Sequence, residues 1–99
     1  MAEKDETIKL PGDTTLKNAA KIGIQEDKPI MLDYWMESCD ENTSLMIGVK
    51  TNEEKLLVRS SEEFTSPISK IYKVGEDYII MTENSIYIVS SNIPSRRIS

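Results

Sequence analysis

The run ISKIYKVGEDYIIMTENSIYIV, residues 68–89, is the densest concentration of β-branched and aromatic side chains in the chain. Two connections of hairpin length divide it. Gly75-Glu76-Asp77 and Glu83-Asn84 offer a glycine and an asparagine for the positive φ that tight turns require. The pattern predicts strands at 68–74, 78–82 and 85–89. Strands joined by links this short pair antiparallel. Two of the three are apolar on both faces. Alternation sets Tyr78 and Ile80 against Ile79 and Met81, and Ile86 and Ile88 against Tyr87 and Val89. A half-exposed antiparallel strand has one polar face, so these strands need cover on both sides. The candidates for the second cover are a helix of the same chain, a partner protein or a second copy.

Working outward, residues 45–50 alternate, with Leu45, Ile47 and Val49 on the inner face. Residues 51–54 turn the chain. Residues 55–59 are the expected hairpin mate, with Leu56 and Val58 facing in. The polar stretch 60–67 reads as a loop in which Phe64 plugs one end of the core. Further upstream, 29–36 reads as a strand with Ile30, Leu32, Tyr34 and Met36 on one face and Met31, Asp33 and Trp35 on the other. A turn follows at 37–44.

Leu16, Ala19, Ala20 and Gly23 follow helical spacing. They predict a helix at 14–22, capped by Asp13 or Thr14 and ended by Gly23 in a left-handed conformation. The stripe is built of small residues, so it can lie close on a sheet. Residues 8–10 read as a short strand before the Pro11-Gly12 turn. The expected organisation is a flexible arm at 1–12, one β-rich domain at 13–91 and a polar tail at 92–99, where Ile93-Pro94 breaks any strand.

The fold class expected is mainly β (α+β): a short N-terminal helix followed by a five- or six-stranded antiparallel sheet or a small barrel of SH3-like or OB-like type. A flat open sheet with the helix on one face is the alternative.

The chain has 99 residues, enough for one domain. Its net charge of −5 is unevenly placed. Residues 1–43 carry five Lys against ten Asp or Glu, and residues 44–99 balance seven against seven. An acidic chain suits phosphate backbones poorly. Cys39 is alone, so no internal disulfide can form and a reducing compartment is expected. The N-terminal residues lack the apolar run of a signal peptide, and no stretch reaches the roughly 20 apolar residues of a membrane span. A soluble, intracellular protein is expected.

With no histidine, the Ser-His-Asp triad, the Cys-His pair and histidine metal sites are excluded. Glu37, Asp40 and Glu41 flank Cys39 and oppose a reactive thiolate. Oxygen side chains at 40, 42 and 44 begin like a calcium loop. Leu45 then stands where the loop needs glycine, and Thr51 where it needs glutamate. Asp33 is the one acid inside an apolar run, and an exposed edge position accounts for it. The four glycines are isolated, so no phosphate-cradling loop forms. Lys70, Tyr72 and Lys73 come closest to the basic–aromatic pattern of an RNA-binding sheet. No catalytic residue, cofactor, metal site or small-molecule substrate is expected.

Trp35, Tyr72 and Tyr87 are the expected partner-binding residues, because exposed Trp and Tyr often anchor interfaces. The runs KPIMLDYW (28–35), EFTSPISKIY (63–72) and MTENSIYIVS (81–90) resemble small uncharacterised proteins of large double-stranded DNA viruses of eukaryotes. The resemblance spans about residues 14–93 and implies a viral accessory or virion protein, located in the cytoplasm or the virion. It carries no motif of known chemistry. The function expected is a non-enzymatic structural or protein-interaction module, self-associating or binding a partner through an apolar, aromatic sheet face or an open edge strand. A nucleic-acid-binding barrel is the alternative, and a carboxylate-run enzyme centred on Asp33 is a third reading.

Overall fold

The computed structural model describes residues 10–40 and 42–98. Residues 1–9 of the arm expected at 1–12 lie outside them, and with them most of the short strand expected at 8–10. The elements run α1 (Asp13–Glu26), β1 (Ile30–Met31), α2 (Trp35–Ser38), β2 (Met46–Val49), β3 (Lys55–Ser60), β4 (Glu63–Phe64), β5 (Ile68–Val74), β6 (Asp77–Thr82), β7 (Ile86–Ser90) and β8 (Ser95–Arg97).

The opening stretch folds as its pattern predicts. β5, β6 and β7 form an antiparallel meander, and Gly75 takes φ 61° in the first turn. The register aligns Tyr72, Ile79 and Ile88 across the strands, and one residue along it aligns Ile71, Ile80 and Tyr87. These two rows face opposite sides. Ile79, Met81, Ile86 and Ile88 pack beneath α1 and Trp35, with Ala19 fully buried at the contact. Ile80 and Val89 pack against Ile47 and Leu57 of the second sheet and Leu45 just before β2, with Ile93 at the end. The molecule is therefore mainly β with an N-terminal helix, in three layers: helix, sheet, sheet. Central strands that are apolar on both faces require a layer on each side.

The strands divide between two four-stranded sheets, ordered β1-β7-β6-β5 and β4-β3-β2-β8. β1 joins β7 in parallel, and β8 joins β2 in parallel. The remaining pairs are antiparallel. Both parallel strands are only two or three residues long.

Several expectations need correction, among them the loop expected at 60–67, which contains β4. The strand expected at 29–36 stops after Met31. Asp33 and Tyr34 turn the chain, Trp35 N–H donates to the Leu32 carbonyl (3.1 Å), and α2 follows. The turn sends Trp35 into the helix-side core and Tyr34 toward the sheet–sheet core, where its ring stacks on Tyr87 at 5.6 Å. Second, β3 is inverted: Leu57 faces the first sheet, so its neighbours Leu56 and Val58 point away from it. Three apolar residues in a row left the period-2 reading ambiguous.

Third, α1 runs past Gly23 to Glu26, and Asp27 takes the left-handed position (φ 56°). Gly23 is small for another reason. A Cβ there would lie 3.2 Å from the Lys28 carbonyl and 3.5 Å from Ile30. Fourth, the chain beyond 91 is part of the domain. Ile93 is buried. Ile47 N–H donates to the Pro94 carbonyl (2.9 Å) and Ile98 N–H to the Val49 carbonyl (2.8 Å). Pro94 does not prevent a strand here, because only its carbonyl joins the ladder.

Candidate functional site

The second sheet has one face against the first and one face outward. Alternation puts Met46, Leu56 and Val58 on the outward face. Phe64 pairs opposite Val58 on edge strand β4. At the other edge, Ile98 lies over Gly48, with its Cδ1 2.7 Å from where a Gly48 Cβ would stand. Gly48 thus lets Ile98 fold inward, close on the sheet. The result is an apolar floor between two ridges, Phe64 and Ile98, forming an open groove of about 670 Å³. Phe64 is 56% exposed. It does not plug the core, as expected, but stands beside the groove. The floor itself is largely covered: Leu56 and Val58 are 9% and 8% exposed, Met46 and Ile98 are half-buried, and Phe64 is the side chain of this set that stands in solvent.

The charges around the groove are already paired. Arg59 holds Glu37 (3.0 Å) and Glu63 (3.1 Å), and hydrogen bonds to these two carboxylates raise its pKa above the ordinary arginine value. Lys50 sits 3.4 Å from Glu54, and Arg97 3.6 Å from Glu53. Exposed pairs of this kind add little stability. Their effect on the groove is to leave it without a strong local field of either sign. Ser44, Ser60 and Ser61 complete the polar rim.

The residues expected to anchor a partner lie apart from this groove. Trp35 is 3% exposed and belongs to the helix-side core. It is a packing residue, because α2 turns its ring inward. Tyr87 is half-buried and stacked on Tyr34 in the sheet–sheet core. Tyr72 is the outermost of the three, 36% exposed on β5. The signal that could have found the groove is the triplet Leu56-Leu57-Val58. It can bury one side chain inward only by turning two outward.

Asp33 is exposed in the turn before α2. Cys39 is half-buried against the helix-side core. Among the described residues no three His, Cys, Asp or Glu side chains converge as a metal cluster, and no helix is long and apolar enough to cross a membrane. A second cleft, of about 510 Å³, lies between the start of α1 and the β5–β6 turn. Its carboxylate, Asp77, accepts the Thr15 hydroxyl (2.7 Å) and the Gly12 N–H (3.2 Å), so its polar groups serve the helix terminus. No protein-family model, curated protein or solved structure matches the chain, and the resemblance to viral proteins draws no support from them.

Proposed function

We propose that the protein is a non-enzymatic interaction module that holds an apolar-faced helical segment of a partner protein in the groove on its second sheet. The observation that carries this reading is the outward row Met46, Leu56, Val58, Phe64 and Ile98 with paired charges at its rim. Size selects the occupant. Four strands about 4.8 Å apart and up to about 20 Å long give a face of roughly 300 Å². A stable dimer covers about 800 Å² on each partner. A helix roughly 10–12 Å across fits between the two ridges in about three turns, in the helix-in-groove mode.

The test is selection from a displayed library of roughly 12-residue helical peptides. The expected result is enrichment of apolar residues at i, i+3, i+4 and i+7, lost when Phe64→Ser replaces the wild-type protein as bait. Phe64 is exposed, so this variant keeps the fold. Equal recovery on both baits overturns the reading. So does a dimeric mass in light scattering that returns to monomer with Phe64→Ser, which would make a second copy the occupant.

A further inference from the structure

We infer that the outer edge of β5 accepts an extended acidic peptide as an added strand. Among the described residues β5 is the end strand of its sheet, seven residues long, with β6 as its one neighbour there. Its backbone therefore carries a row of donors and acceptors facing outward. The helix layer covers β1, β6 and β7 and leaves β5 at its margin. There an open groove of about 410 Å³ runs between α1 and the strand, lined by Lys21, Ile22, Gln25, Tyr72, Val74 and Ile79. Strand addition needs both parts: ladder bonds along an edge for affinity, and a side pocket for every second side chain of the guest.

Charge decides which guest. Lys70 and Lys73 are exposed on β5, and Lys21 borders the groove. The nearby acids at the bulged end of the strand, Glu53 and Glu54, already face Arg97 and Lys50. Edge lysines repel a second copy of the same edge and so guard against self-pairing. The same lysines favour a strand with opposite charges in the cross-strand positions. The register slips between Ile68 and Lys70, so the regular run open to a guest is 70–74. This edge is made of different residues from the groove on the second sheet, and each surface stands or falls alone.

Two synthetic peptides of equal strand propensity, Ac-TVEVVEVT-amide and Ac-TVKVVKVT-amide, whose charges three residues apart match Lys70 and Lys73 on opposite faces of β5, are titrated into the 15N-labelled protein. The glutamate peptide is expected to shift the amides of residues 70–74 and to lose affinity as salt rises. The lysine peptide is expected to leave them in place. Lys70→Glu with Lys73→Glu is expected to weaken the glutamate peptide at least tenfold. Both positions are exposed, and an unchanged thermal melt confirms the fold of that variant. Equal binding of both peptides overturns the inference. Absence of shifts with the glutamate peptide does so too, as do shifts confined to other strands, or displacement of the peptide by an oligouridylate at the same lysines.

Discussion

Tyr34 shows how much one side chain does in a fold this small. It ends the turn before α2, stacks on Tyr87 and lies 6.0 Å beneath the Arg59 guanidinium. Burial, then the negative charge of Glu63, raises its pKa above the ordinary tyrosine value, while Arg59 opposes the shift. The raised value fixes the sign of a pH effect. Below the unfolded pKa of 10.0 the favourable contribution of the neutral phenol is fully present. As pH rises through the folded value, the unfolded chain has already lost the proton that the folded chain retains, and stability falls. Unfolding in urea at pH 9 and pH 11 measures it. Tyr34→Phe is expected to lose less stability over that interval than the wild type. Equal losses in the two proteins would show that other groups carry the alkaline sensitivity. This role was not legible in the sequence. Alternation put Tyr34 on one face of a strand with Ile30 and Leu32, whereas it is the N-cap of the four-residue α2, which is too short for any periodic signal.

At the scale of elements, α1 illustrates a cap supplied from far along the chain. The sequence pattern pointed to Asp13 or Thr14 as a local cap. In the structure Gly12 is the N-cap and makes no side-chain bond. The carboxylate of Asp77 accepts the Gly12 N–H and the Thr15 hydroxyl, and Thr15 also reaches the Val74 carbonyl at 3.5 Å. A negative group near the start of a helix complements its dipole. The β5–β6 turn thus serves two ends: it reverses the meander and ties down the helix that covers it. Asp77→Ala is expected to cost about 1–2 kcal/mol, by analogy with the loss of a local cap and its hydrogen bonds. That corresponds to a melting temperature lower by roughly 4–16 °C. Asp77→Asn, which keeps an acceptor, is expected to recover more than half of the loss. A melting temperature unchanged in Asp77→Ala would remove the cross-chain cap from the account of α1. Local patterns located the helix itself well, because Leu16, Ala19 and their spacing are local. They missed the cap because its two halves lie more than sixty residues apart. β8 escaped for a similar reason: a three-residue parallel strand has no period of its own, and its partner β2 alone defines it.

For the whole molecule, the opening stretch posed the question of what covers a sheet with two apolar faces. The answer is internal on both sides. Small residues let α1 lie close on one face, and the second sheet closes the other. The far face of the second sheet carries its own apolar row, where Leu56 and Val58 are nearly covered and Phe64 stands exposed, and the sequence showed it only as the ambiguous triplet at 56–58. Adjacent residues of β6 test the three-layer arrangement directly. Ile79 lies in the helix-side core and Ile80 in the sheet–sheet core, and neither is exposed at all. In a sheet with one solvent face, truncating one of two neighbours is nearly free. Here each truncation leaves a cavity in a closed core, so Ile79→Ala and Ile80→Ala are each expected to cost about 2–5 kcal/mol. The two cores share the backbone of β6 but no side-chain contact between these positions is required, so the double variant is expected to lose close to the sum, within the coupling of about 0.5–3 kcal/mol seen for near neighbours. Chemical denaturation of the four proteins makes the measurement. A cost below about 1 kcal/mol at either position would mean that its face is open in solution, and the layer assigned to cover it would have to be given up.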